Sequence, residues 1–326
     1  MVGSHLLDYL RVNTNWSIYG MARWRSPLDN IAGHLENANS GDKGSLNLVY
    51  GDLNDPISLD RVLKVSRPDY IFHLAAQSFP MTSFTSPIDT LQTNIIGTAA
   101  LLELTVKNAP KSIVHVCSSS EVFGRVPADR IPISENENFH PASPYAISKA
   151  GTDLLGRFYA EAYGLNTQTT RMFTHTGPRR GDVFAESSFA KQIALAEIGR
   201  IEPIIKVGNL ESLRTIADVR DAVRAYFMLV TKNPIPGSFY NIGGNHSCRI
   251  GDILDTLLSF SDIKNFKVVE DPERIRPIDA DLQVPDTSKF AKQTNWQPEI
   301  PYSQTMRDLL EYWRAKVRMP GNNFVR

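Results

Sequence analysis

Residues 112–120 read SIVHVCSSS, an apolar run that ends abruptly in three serines. A run apolar at nearly every position reads as a strand covered on both faces, as in a parallel sheet. The neighbouring segments fit that reading. Upstream, residues 89–110 (DTLQTNIIGTAALLELTVKNAP) form a long helical pattern that closes at Asn108-Ala109-Pro110, preceded by the apolar run DYIFHLAA at 69–76. Residues 58–68 (SLDRVLKVSRP) have helical spacing and stop before a proline, and strand-like runs stand at 16–23 (WSIYGMAR) and 46–53 (LNLVYGDL). Downstream, residues 143–164 (SPYAISKAGTDLLGRFYAEAYG) form a helix stopped by Gly164, followed by a further strand within 167–178 (TQTTRMFTHTGP). Strand and helix in rotation predict an α/β fold, a doubly wound parallel sheet.

Beyond Pro178 the rotation loosens. A loop and a helix occupy 178–199, a second helix is predicted over 214–232, a strand over 237–244, and an amphipathic helix over 303–317 after a Pro- and charge-rich stretch. This predicts a Rossmann-like domain, 1–175 plus 218–245, and a smaller mixed α/β substrate-binding lobe, 176–217 plus 246–326, covering the carboxyl edge of the sheet. There is no internal repeat or low-complexity tract.

Composition narrows the function. The 326 residues carry 35 Lys+Arg against 35 Asp+Glu, a net charge of zero that argues against a generic nucleic-acid binder. Hydrophobic residues at 42% and charged residues at 21% suffice for a sizeable core. The sequence offers no apolar run long enough for a bilayer and no signal-peptide pattern, so no membrane partner is expected. Only Cys117 and Cys248 occur, far apart, which suits a reducing cytoplasm. The seven histidines lack metal-ligand spacing, and no metal is expected.

The chain opens MVGSHLLDYL, with a helical stripe at Leu6, Leu7 and Leu10 behind Gly3. In a dinucleotide fold the first helix follows a strand and a glycine turn whose N–H groups hold a pyrophosphate. Gly3 occupies the place of the last glycine of that turn. The expectation is that the first strand and two earlier glycines lie outside these residues, and that this chain alone binds a dinucleotide weakly.

Tyr145 and Lys149 lie four apart in SPYAISK, on one face of the predicted helix. An ammonium beside a phenol favours the phenolate, which makes Tyr145 a plausible base toward an alcohol. By itself such a pair is often a solvated helix face. The serine run raises its weight, because ligands of open α/β sheets sit at the carboxyl ends of strands.

These residues resemble the extended short-chain dehydrogenase/reductase family, most closely the GDP-mannose 4,6-dehydratases. The resemblance runs nearly end to end, through GDLNDP, HLAAQSF, SSSEVFG, SPYAISKAG, PRRG, RPIDADL, PDTSKF and NWQPEIP. It implies that Ser119 hydrogen-bonds the sugar O4, that Tyr145 is the base there with Lys149 its activator, and that Glu121 handles protons at C5 and C6. The implied reaction is C4 oxidation, loss of water across C5–C6 and hydride return to C6, giving a GDP-4-keto-6-deoxy sugar.

Arg23 and Arg25 follow the second strand, Arg23 twenty positions beyond Gly3, where an NAD enzyme usually offers an acid to the ribose. Arginine there suits a 2′-phosphate, so NADP is the expected cofactor. The resemblance adds Asp52 and Leu53 at the adenine and Ala75 and Gln77 beside the cofactor. For the GDP-sugar it implies Arg214 and Arg276 at the diphosphate, Asp279 at the ribose, Ser83 at the sugar, and Lys191 as a further contact. Thr174 stands where the family usually has asparagine, which leaves the sugar open. The family also implies a homodimer or homotetramer. Three readings stay open: a GDP-mannose 4,6-dehydratase; a related enzyme such as a GDP-heptose dehydratase, 4-ketosugar reductase or 4-epimerase; and a non-catalytic sugar-nucleotide-binding relic.

Overall fold

The computed structural model describes residues 1–41, 44–278 and 280–319. In chain order the first half comprises α1 (Val2–Asn13), β1 (Ile18–Ala22), α2 (Ala32–Leu35), β2 (Leu46–Tyr50), α3 (Pro56–Ser66), β3 (Tyr70–His73), α4 (Pro80–Thr85), α5 (Pro87–Leu91), α6 (Gly97–Asn108), β4 (Ile113–Cys117), α7 (Pro144–Tyr163) and β5 (Asn166–Met172). Then follow β6 (His175–Thr176), α8 (Ala185–Glu197), β7 (Ile204–Val207), β8 (Leu213–Asp218), α9 (Val219–Thr231), β9 (Phe239–Ile242), β10 (His246–Arg249), α10 (Ile250–Ser259), β11 (Lys267–Glu270), β12 (Leu282–Gln283), α11 (Ser288–Thr294) and α12 (Tyr302–Arg318).

The expected parallel strands form, with β3-β4-β5-β9 in one sheet and β1-β2 in another. No strand precedes α1 among the described residues, and no backbone ladder joins the two sheets. Side chains join them instead. Leu6 and Leu10 of α1, Ile18 of β1, Phe72 of β3 and Val223 of α9 share one apolar cluster, and Trp16 stacks on Tyr70 at 4.5 Å between ring centroids. On the opposite face, Leu102, Val114, Val116 and Leu165 are buried between α6, β4 and α7, each such side chain stabilising the fold by about 1.5–3 kcal/mol. A separate core of Phe189, Ile193, Ile205, Ile253, Leu257, Leu309 and Trp313 organises the segments beyond β6. There β8 pairs with β10, β12 and β6, while β7 pairs with β11.

Local chemistry fixes the helix that carries the predicted chemistry. Ser143 accepts a hydrogen bond from the Ala146 N–H, Pro144 opens α7 where no N–H is needed, and Gly164 ends it in the left-handed conformation. Two elements differ from their sequence reading. The single helix over 89–110 is α5, a π-turn at Gln92–Ile96 and α6. The helix over 214–232 begins only at Val219, because Leu213–Asp218 is the strand β8, with Asp218 capping α9 through the Arg220 N–H.

Candidate active site

Strand β4 ends at Cys117, and its serine run turns into a single 3₁₀ turn, Ser120–Phe123, at the carboxyl edge of the sheet. Ser119 opens that turn, its Oγ accepting from the Glu121 N–H at 3.2 Å. The run is sewn to α7: Ser118 Oγ donates to the Lys149 carbonyl at 3.0 Å, and Lys149 Nζ donates to the Cys117 carbonyl at 2.8 Å. Ser119 and Glu121 both lie near enough to act on the Tyr145 hydroxyl. Ser119 and Glu121 at the end of β4 and Tyr145 and Lys149 on α7 therefore converge on one corner of the sheet.

Burial pushes the Tyr145 hydroxyl above its ordinary value, the nearby Ser119 hydroxyl opposes this in part, and Glu121 adds to the rise. Burial also lowers the Lys149 ammonium. Lys149 Nζ is engaged by the Cys117 carbonyl in this state.

Two residues without a role in the sequence reading reach the same corner. Arg180, of the PRRG stretch, acts electrostatically on both Tyr145 and His175. Its Nε lies 3.2 Å from Glu186 Oε1, yet both atoms are buried without a hydrogen bond. Burial and Arg180 hold His175 neutral, at about 3. Asn94 is a third addition. Buried in the π-turn, it accepts from the Gln77 N–H at 2.8 Å and donates to Ser148 Oγ at 2.8 Å, tying the loop after β3 to α7. Only its position within the long helical pattern was visible in sequence. Nothing in the spacing signalled the turn that aims it.

The remaining sequence-derived residues take varied places. Gly3 lies in the first turn of α1, where an added Cβ would meet nothing within 4 Å. Arg23 and Arg25 are exposed just beyond β1, beside Trp24, whose ring packs edge-on against Tyr50 at 5.0 Å. Asp52 Oδ1 accepts from the Asn54 N–H, and Leu53 is buried with Leu59 and Leu101. Ala75 is exposed after β3, while the Gln77 amide is occupied within its own turn by Phe79 and Thr90. Ser83 is fully buried and donates to the Pro80 carbonyl. Thr174 lies half-buried between β5 and β6. Lys191 pairs with Asp182 at 2.8 Å, and Arg214 Nη1 donates to the Ala280 carbonyl at 2.6 Å. Arg276 Nη1 stands 3.5 Å from Glu121 Oε1. Asp279 lies outside the described residues. Among the described residues, no group of three or more His, Cys, Asp or Glu could hold a metal ion, and no helix is long and apolar enough to cross a membrane.

A parallel Rossmann-like sheet with Ser, Tyr and Lys gathered at one strand end and the next helix defines a short-chain dehydrogenase/reductase. Within that class, residues 1–309 match the family model described as GDP-mannose 4,6 dehydratase. The GDP-6-deoxy-D-mannose reductase of Pseudomonas aeruginosa is 31% identical, over 82% of this chain and 87% of its own length. GDP-mannose 4,6 dehydratase 1 of Arabidopsis thaliana is 30% identical, over 95% of this chain and 86% of its own. The solved structure of RMD from Pseudomonas aeruginosa complexed with NADPH superposes with a TM-score of 0.80 at 26% identity, covering 97% of this chain and 96% of that one. The chain belongs to the GDP-mannose 4,6-dehydratase family, hydro-lyases of the extended short-chain dehydrogenase/reductase type.

Proposed function

We propose that the chain dehydrates a GDP-hexose, GDP-mannose to GDP-4-keto-6-deoxymannose, with NADP as cofactor. The observation that carries this reading is Glu121, a carboxylate held beside the Ser119–Tyr145 pair. Several features support the fit of a dinucleotide. Arg180 is buried close to Tyr145, and Arg23 and Arg25, exposed beyond β1, suit a 2′-phosphate. The NADPH in the Pseudomonas aeruginosa structure points the same way. When bound, the nicotinamide supplies the acceptor and later the donor of a hydride.

The chain's own residues then account for the proton chemistry. Ser119 donates to O4 and holds the sugar against Tyr145. Tyr145 takes the O4 proton as a phenolate, the form that the Lys149 ammonium favours. A C4 ketone acidifies C5–H, Glu121 removes that proton, and the same carboxyl protonates the departing C6 hydroxyl so that water leaves. Arg214 and Arg276 offer guanidinium forks to the diphosphate. Ser83, Thr174, Lys191 and Asp279 are the further substrate positions of this reading.

Residues 1–175 with 218–245 serve the cofactor in this reading, and 176–217 with 246–326 the sugar nucleotide. A homodimer or homotetramer is supported by the exposed stripe Ile147, Leu154 and Phe158 on α7. The place of action is the cytoplasm. A second reading, a GDP-4-ketosugar reductase, is favoured by the 31% identity to the Pseudomonas aeruginosa reductase.

Glu121→Gln separates the two. General acid–base groups typically contribute about 10²–10⁴-fold, so dehydration should slow by that much while C4 oxidation persists. Single-turnover absorbance of reduced nicotinamide, paired with mass analysis of the sugar nucleotide, reads both steps. Release of the 6-deoxy-4-keto product at the unmutated rate would remove Glu121 from the elimination.

A further inference from the structure

Arg276 is read as a diphosphate ligand, yet in the substrate-free chain its Nη1 faces Glu121 Oε1 at 3.5 Å. Both side chains are partly open, at 24% and 18% exposure, so the pair can be reached from solvent. The stretch that carries Arg276 is itself anchored. Arg274 donates to Ser188 Oγ at 2.9 Å and pairs with Asp271, and Arg214 grips the Ala280 carbonyl at 2.6 Å. The guanidinium on this anchored segment thus faces both a carboxylate that must be free to act and, in the nucleotide-sugar reading, a ligand of higher negative charge.

We infer that Arg276 is exchanged between Glu121 and the diphosphate of the substrate, so that substrate binding itself releases the catalytic carboxylate. The inference rests on the nucleotide-sugar reading of the site. In the free chain the ion pair occupies Glu121 Oε1 and holds the carboxylate away from the sugar subsite. A diphosphate carries more charge than a single carboxylate and matches the planar donor fork, so it takes the guanidinium. Glu121, still close to Tyr145, is then left to face C5 and C6. Arg276 is a positioning residue for Glu121 as well as a ligand for substrate.

The exchange has a consequence that ordinary diphosphate binding lacks: removing the catalytic carboxylate should tighten diphosphate binding, and only when Arg276 is present. The test is calorimetric titration of GDP and, separately, inorganic pyrophosphate. It uses the unmutated chain, Glu121→Gln, Arg276→Gln and the double variant, with NADP added so that the cofactor's own cradle is not the site titrated. Partly exposed ion pairs are worth up to about 1 kcal/mol, so Glu121→Gln should tighten binding about two- to fivefold. In the Arg276→Gln background the same change should have no effect. Glu121→Ala provides an independent repeat should the Gln variant fold poorly. Equal tightening in both backgrounds would mean through-space repulsion alone and overturn the exchange, as would no tightening in either. If pyrophosphate shows the coupled pattern and GDP does not bind, the exchange stands and the guanosine reading fails. If neither ligand binds the unmutated chain, the exchange is overturned.

Discussion

Arg171 shows what a single residue contributes away from the chemistry. It sits in mid-strand on β5, fully buried. Nε and Nη2 donate to the two Asp153 oxygens at 2.8 and 3.1 Å, Nη1 donates to the Glu135 carbonyl, and the Phe139 and Phe239 rings lie 4.6 and 4.5 Å away. Asp153 belongs to α7, so this pair fixes the helix of Tyr145 and Lys149 onto the sheet. Arg171→Met leaves a buried carboxylate short of its main partner and should cost about 3–5 kcal/mol. Arg171→Met combined with Asp153→Leu should lose less, as urea denaturation of the two variants would reveal. Such pairs were not legible in the sequence, where Arg171 is only a charge within TQTTRMF. The Ser119, Tyr145 and Lys149 set was legible, because its members lie on one strand end and one helix face. Arg180 and His175 were not, since the route of the PRRG loop back to Tyr145 is decided by tertiary packing.

At the scale of elements, the turn that aims Glu121 depends on Gly124. This glycine has a φ of +57°, and an added Cβ would lie 1.7 Å from the His140 carbonyl oxygen. The adjoining His140 N–H donates to the Val122 carbonyl, so the two segments close on each other. Gly124→Ala should destabilise the fold by about 2 kcal/mol or more and lower activity by displacing Glu121. Gly199 has a φ of +69° but open space around it. Gly199→Ala should cost only about 1–2 kcal/mol and leave activity in place, which thermal melts alongside assays would check. The strands and α7 were legible through apolar runs, a serine cap and a stopping glycine. The π-turn inside 89–110 was not, because one inserted residue barely disturbs helical periodicity. Strand β8 was missed because Arg214, Thr215 and Asp218 are polar yet buried, so its apolar pattern never formed.

At the scale of the whole molecule, two of the buried histidines, His73 bonded to Thr98 and His115 to Thr170, lie within the sheet. Burial lowers both from 6.5 to about 3. Between those values the unfolded chain binds protons that the folded chain refuses. Their contribution is therefore complete above about pH 6.5 and is lost as pH falls toward 3, by up to about 1.4 kcal/mol per pH unit for each. Urea midpoints should fall between pH 7 and pH 5, and His115→Gln, which can keep a hydrogen bond to Thr170, should make that fall shallower. An unchanged slope would contradict the neutral-histidine account.

The convergence of Ser119, Glu121, Tyr145 and Lys149 at one corner of the sheet and the family membership support the proposed dehydration. The most direct test is to incubate the unmutated chain with NADP and GDP-mannose in heavy water and analyse the sugar nucleotide by mass spectrometry and NMR. In the proposed reaction Glu121 removes the C5 proton and the departing water carries it off, so C5 must regain a hydrogen from solvent. The account predicts a GDP-4-keto-6-deoxy sugar with one deuterium at C5. A 4-keto product that keeps its C6 hydroxyl, or a dehydrated product with no deuterium at C5, would contradict it.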